Sequence, residues 1–287
     1  MGWVSVTTGA ILVVLGLHEV FHTVLHPAGR ARLTTVLVDA AWWLTGRRRE
    51  SRPLAGPVAM VAAFVLWATL QVVGWALVYL PFVPEGFAYG SGVPEGEHPG
   101  ILEALYFSTV SLATLGLGDM VPTTLGIRLL APVQAVIGFG LLTAYVSWFM
   151  QIYPGLGRRR ALALRLAVLD QASFRQGLPD MNPVAAAQTL HGLAADLAQV
   201  RVDLTQNAES YYFSESDPQI SLPAQVPGAL RLARTARQSP HVELRASGEV
   251  LETAVDDFAG LLRQQFLDDD GTTDDLLRGY AQEHRQR

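Results

Sequence analysis

Apolar residues run almost unbroken through residues 3–25, 58–82 and 126–153. Each stretch reaches the roughly 20 residues that a helix needs to cross a bilayer. A fourth stretch, residues 101–113, is too short to cross. Lying between the second and third, it suits a re-entrant helix whose irregular continuation is shielded by protein at membrane depth. Residues 33–45 are also apolar, with Trp42 and Trp43, and have arginines on both flanks. They would be only about 20 Å long as a helix, so they read as an interfacial helix, with a fourth span as the alternative.

Beyond residue 156 the pattern changes to helical periodicity. Asn182 before Pro183 is a helix start, and Leu190, Leu193, Leu197, Val200 and Leu204 follow at alternating spacings of three and four. That seam covers about two heptads, which favours packing within its own domain over a coiled coil. Leu251, Val255, Phe258, Leu262 and Phe266 form another helical face. Residues 214–227, rich in Ser and Pro, read as a loop, and the acidic tail from Asp268 as a frayed final helix, with disorder as the alternative.

Composition sharpens this. Of 287 residues, 50% are hydrophobic and 16% charged, against about 25% charged in soluble domains. The absence of cysteine excludes disulfides, thiolate catalysis and Cys-ligated zinc. All 21 basic residues are arginine, and the net charge of −5 argues against nucleic acid as a partner. Residues 3–25 lack the basic start and small-residue cleavage site of a signal peptide. Arg30, Arg32, Arg47, Arg48, Arg49 and Arg52 follow the first stretch, and Arg158, Arg159 and Arg160 the third. The loop over residues 83–100 has no arginine and carries Glu85, Glu95 and Glu97. The positive-inside rule then puts the N-terminus outside and the C-terminus in the cytoplasm.

The candidate chemistry lies at Thr114, Leu115, Gly116, Leu117, Gly118 and Asp119. A cation pathway built from backbone carbonyls needs successive carbonyls on one side. This requires unusual dihedrals at alternate positions, which glycine adopts cheaply. Gly116 and Gly118 hold such positions, and the Thr114 hydroxyl adds an oxygen. Four such segments around an axis can replace an ion's hydration shell. Residues 101–113 would aim the negative end of a helix dipole at the inner cavity. Asp119, with the loop glutamates, would make the outer mouth acidic.

The run from Tyr106 and Phe107 through Thr114-Leu-Gly-Leu-Gly-Asp119 to Pro122 resembles the pore loop of the potassium channel superfamily, of the two-transmembrane bacterial type. The resemblance covers residues 57 to 153. It implies an outer helix, a pore helix, a selectivity filter and an inner helix, and four copies closing one ring. It also implies that Tyr106 donates to Asp119. Two departures stand out. Leu117 replaces the usual filter tyrosine, facing Phe107 in an apolar cuff, and Val110 stands where some members have a glutamate. Gly138 sits at the position of a family hinge glycine, with Gly140 close by. Close helix packing is the competing reading of these glycines. Leu142, Val146 and Met150 share a stripe that would face the cavity, and Tyr145 and Phe149 would narrow the inner mouth.

His18, Glu19 and His22 match His-Glu-x-x-His, with His26 one turn on. On a helix these have the spacing of a zinc pair with a general base. A later-span aspartate ligand is missing, so an intramembrane zinc protease is the rival and His18, His22 and His26 are weak metal candidates. A polar helix end or a pH-sensing cluster is the plainer reading. No dinucleotide-binding glycine motif, calcium loop or arginine-repeat helix identifies a gating stimulus.

The expected protein is therefore an all-α membrane protein. It has an N-terminal transmembrane helix (1–27), an interfacial linker (28–56), a pore domain (57–155) and a helical cytoplasmic domain with an acidic tail (156–287). It would sit in the plasma membrane as a homotetrameric potassium channel, with no enzyme activity and no cofactor beyond permeant potassium ions. The other readings are the zinc protease and a pore-like subunit that no longer conducts.

Overall fold

A computed structural model describes residues 2–24, 55–90, 99–267 and 270–284. The linker over residues 33–45, His26, Glu95 and Glu97 lie outside them. The chain divides into two compact units, Met1–Ala40 with Val58–Met150, and Ala41–Pro57 with Gln151–Arg287.

The first unit is built from α1 (Gly2–Val24), α2 (Ala55–Tyr79), α3 (Gly100–Leu112) and the first part of α4 (Leu125–Gln171). Gly2–Val24, Gly56–Phe82 and Leu125–Gln171 are long and apolar enough to cross a membrane, and Gly100–Leu112 is the short apolar helix. The expected order of outer helix, re-entrant pore helix and inner helix is thus α2, α3 and α4.

Small residues let α1 and α2 approach closely. A Cβ at Gly9 would lie 2.4 Å from the Gly74 carbonyl oxygen, and one at Gly16 would lie 2.6 Å from Gln71 Nε2. Gln71, fully buried, donates to the Val13 carbonyl at 3.0 Å. Aromatic rings join α2 to α4: Trp67 and Trp148 are both buried with centroids 5.4 Å apart, and Phe64 meets Tyr145 at 4.6 Å. Tyr145 therefore packs on the outer helix, which corrects its expected place at an inner mouth.

An antiparallel ribbon, β1 (Phe87–Tyr89) with β2 (Met120–Pro122), is absent from the sequence reading. Its register pairs Phe87 with Pro122, Ala88 with Val121 and Tyr89 with Met120. Strands of three residues are too short to show a periodicity.

A second difference concerns α4. The third apolar stretch ends at residue 153, but the helix continues to Gln171. Ile152, Leu156, Leu162, Ala163 and Leu166 form a buried face along the continuation. Gly155 admits Asp203, whose Cβ would lie 3.3 Å from a Cβ at that position.

The rest of the second unit comprises α5 (Phe174–Gly177), α6 (Pro183–Gln206), α7 (Leu222–Arg237), α8 (Val242–Gln265) and α9 (Thr273–His284). Asn182 caps α6, accepting from the Val184 and Ala185 amides at 3.0 and 3.2 Å. The leucine seam of α6 is buried with Leu251, Val255, Phe258 and Leu262 of α8 in one core. One expectation is corrected. Part of residues 214–227 is helical, because α7 begins at Leu222 with Pro223 in its first turn, where a missing amide costs nothing. The final helix expected in the acidic tail is α9, which buries Leu276, Leu277 and Tyr280. Asp275 accepts from the Thr272 amide and hydroxyl at 3.0 and 2.6 Å, so an acid-rich start caps this helix.

Candidate pore loop

The loop begins in the cap of α3. The Thr114 amide donates to the Ser111 carbonyl at 3.1 Å and the Leu115 amide to the Val110 carbonyl at 3.0 Å. Together with Thr114 at φ +56°, this pair of bonds is a Schellman closure with threonine in the place glycine usually takes. Gly116 follows at φ +56° and Gly118 at φ +78°, while Leu115 and Leu117 stay at negative φ. The sign of φ thus alternates through five residues, starting two residues before the first glycine. Such alternation turns successive peptide planes to the same side.

Residues 113–118 are exposed within the single chain, with Leu115 at 62% and Leu117 at 61%. Asp119 is fixed from three sides. The Tyr106 hydroxyl donates to its carboxylate, as the resemblance implies. Its carbonyl accepts from the Gly90 amide at 2.8 Å, and β2 continues from it. The ribbon therefore anchors the outer end of the loop, as the α3 cap anchors the inner end.

Phe107 takes a different partner from the expected one. It is buried, edge-on to Tyr79 at 5.0 Å and to Phe87 at 4.8 Å. Its ring belongs to the core between α2, α3 and β1, whereas Leu117 lies open. Val110 is half-buried and contributes its carbonyl to the cap.

Behind α3 lies a polar network that periodicity could not reveal. Gln134 of α4 is fully buried. Its Nε2 donates to the Ser108 carbonyl at 2.9 Å and to Ser108 Oγ at 2.8 Å, and its Oε1 accepts from the Tyr79 hydroxyl at 2.9 Å. Ser108 Oγ donates onward to the Val72 carbonyl at 2.8 Å. One glutamine thereby ties the outer, pore and inner helices together. The only signal in the sequence was a glutamine inside a membrane stretch.

On α4 the two glycines part company. A Cβ at Gly138 would lie 1.9 Å from the Leu112 carbonyl oxygen, so Gly138 is where the inner helix meets the end of α3. A Cβ at Gly140 would meet open space. Leu142, Val146 and Met150 are exposed, at 52%, 51% and 63%.

In α1 the His18 and His22 rings lie 4.2 Å apart, tilted by 43°, and Glu19 is buried. Among the described residues no three His, Cys, Asp or Glu side chains converge as a metal site.

In the second unit the arginines expected to mark the cytoplasmic side have protein partners. Arg158 makes a two-bond fork to Asp203 at 2.6 and 2.7 Å. Arg159 is buried and donates to the Ser210 and Phe213 carbonyls at 2.7 and 2.6 Å. Arg160 donates to Glu215 at 2.8 Å.

Residues 63–153 match the family model described as "Ion channel". Over 163 residues, 55% of the chain, the sequence is 23% identical to the uncharacterized membrane protein YdjJ of Bacillus subtilis (strain 168), of which the match covers 47%. The chain thus spans about half the length of the curated relative it matches. No solved structure matches it. Residues 63–153, with their outer helix, pore helix and inner helix, are thus similar to the pore-loop module of a two-transmembrane ion channel.

Proposed function

We propose that this chain is one subunit of a homotetrameric, potassium-selective channel, with Thr114 to Asp119 as its filter. The observation that carries the reading is the alternation of φ at Thr114, Gly116 and Gly118. It gives a carbonyl array of the kind that replaces an ion's water shell, with the Thr114 hydroxyl as a further oxygen. Ions would shed water onto the carbonyls of Thr114, Leu115, Gly116 and Leu117, with Asp119 at the outer mouth.

A second argument supports four copies. Irregular backbone cannot face hydrocarbon, since its unsatisfied polar groups each cost several kcal/mol or thereabouts. Residues 113–118 are uncovered in one chain, which supports other copies enclosing them around a wet axis, where a closed ring would satisfy every subunit alike. Leu142, Val146 and Met150 would face the cavity below. Of the two glycines, Gly140 is free to take up a bend in α4, whereas Gly138 is held against α3. The arginine distribution favours an N-terminus outside and residues 156–287 in the cytoplasm of a plasma-membrane protein. The protein would catalyse no covalent chemistry and need no cofactor other than the permeant ion.

The test is a bi-ionic reversal potential, potassium against sodium, for purified protein in planar bilayers. A reversal close to the potassium limit, abolished as current by Gly116→Ala in protein that still assembles, is the expected result. Unchanged current in Gly116→Ala would overturn the assignment of the filter. A reversal near zero in the wild type would overturn potassium selectivity.

A further inference from the structure

We propose that Gln134 is a positioning residue of the pore, setting the depth and rotation of α3 and hence the geometry of residues 114–119. This rests on the channel reading above. The orientation of the amide is chemically determined: the Ser108 carbonyl can only accept, so Nε2 faces it and Oε1 faces the Tyr79 hydroxyl. Gln134, Ser108 and Tyr79 are all fully buried, so water cannot replace a lost bond. Ser108 lies two residues before Val110, whose carbonyl closes the α3 cap on Leu115. A displacement of α3 is therefore passed directly to the first residues of the filter.

The test compares Gln134→Met, which keeps volume and removes the amide, with Tyr79→Phe and Ser108→Ala. Two readouts are taken: the potassium-over-sodium permeability ratio, and the thermal shift of purified protein on exchanging sodium for potassium. Wild type with no potassium-specific shift and no selectivity would defeat the channel reading itself. Given a selective wild type, Gln134→Met should lower the permeability ratio at least about tenfold, with Tyr79→Phe and Ser108→Ala intermediate (a tenfold change is about 1.4 kcal/mol). Wild-type selectivity and thermal shift in all three variants would overturn the role of Gln134. If Gln134→Met does not assemble, the two milder variants decide by the same criterion.

A different observation, in the second unit, carries an independent inference. His284 is buried, with Nδ1 3.0 Å from the Tyr280 carbonyl and Nε2 2.8 Å from the Tyr211 carbonyl. Carbonyls only accept, and a neutral imidazole has one N–H; only the imidazolium satisfies both. We infer that His284 is a proton-operated latch between α9 and the segment over residues 208–213. The end of α9 favours a cation there, as the negative end of its dipole. Facing the ring are Tyr280 of α9 and Tyr211, and Glu283 precedes it in the chain. Glu215, Arg231 of α7 and Arg278 share with it a cavity of about 400 Å³. Glu283 accepts from the Tyr211 hydroxyl, and Glu215 is held by Arg159 and Arg160. Arg159 of α4 grips the Ser210 and Phe213 carbonyls on either side of Tyr211. Loss of the proton thus loosens the segment that the continuation of the inner helix holds.

Hydrogen exchange of the full-length protein, corrected for intrinsic rates, tests this at about pH 5.5 and 8.5, across the ordinary histidine range. Protection of residues 208–213 and 273–284 should fall at least about tenfold at the higher pH, and His284→Gln should abolish that dependence. Equal protection at both pH values in the wild type, or an unchanged dependence in His284→Gln, would overturn the latch. Neither result depends on whether the channel conducts.

Discussion

The Leu115 amide donates to the Val110 carbonyl across 3.0 Å, so the second residue of the proposed filter is also the last bonded residue of the pore helix. The helix end and the carbonyl array are consequently one structure, and Thr114 serves both. A β-branched residue in the left-handed region costs about 1–2 kcal/mol. That cost is the basis of the first prediction. Thr114→Gly should keep or raise the thermal midpoint of the purified protein while lowering potassium flux, because strain is relieved and a hydroxyl ligand is lost. A lower midpoint together with normal flux would contradict the double role.

Gly138 and Gly140 should respond in opposite ways to the same change. Gly138→Ala would press a methyl group against the Leu112 carbonyl oxygen and should cost about 2 kcal/mol or more, with loss of flux. Gly140→Ala meets open space and should be neutral or slightly stabilising in a thermal melt. Its effect on opening kinetics tests the bend separately.

Arg159 satisfies two buried carbonyls and faces Glu215. Arg159→Ala leaves these groups buried without their donor and should destabilise the second unit by about 3 kcal/mol, measured by denaturant unfolding. Arg159→Lys should restore little, since an ammonium lacks the fork that reaches both Ser210 and Phe213.

Asp275 predicts an acid dependence. Donation by the Thr272 hydroxyl, then by its amide, together with the Arg278 guanidinium, holds the Asp275 carboxyl below the usual range. Its folded value lies below its unfolded one, so its contribution is present above the ordinary carboxylate range and is lost as pH falls through the folded value. Protection of α9 against exchange should weaken below about pH 4 in the wild type. Asp275→Asn should show a smaller change over the same interval.

Burial reinforces the tyrosine side of the same region. The Tyr211 phenol is pushed far above its usual range, first by burial and then by the nearby Glu283 carboxylate. It therefore remains the hydrogen-bond donor throughout the pH interval used for the latch.

Much of the architecture was legible without coordinates, because lengths and periods are local properties. The three long apolar stretches, the short fourth one, the Asn182 cap and the two leucine-rich faces each follow from bilayer thickness or helical pitch. The glycines at 116 and 118 disclosed unusual dihedrals, since few other residues adopt them cheaply. What tertiary structure decided was which side chain meets which. Phe107 joins Tyr79 and Phe87 rather than a cuff around Leu117, and Tyr145 packs on Phe64. Gly138 is small because a carbonyl passes beside it, and Gln134 is polar because three helices converge there. Spacing along the chain carries no information about such partners, for they come from separate segments brought together by packing. The left-handed Thr114 belongs to the same class: its conformation is imposed by bonds to Ser111 and Val110 that exist only once the helix has formed.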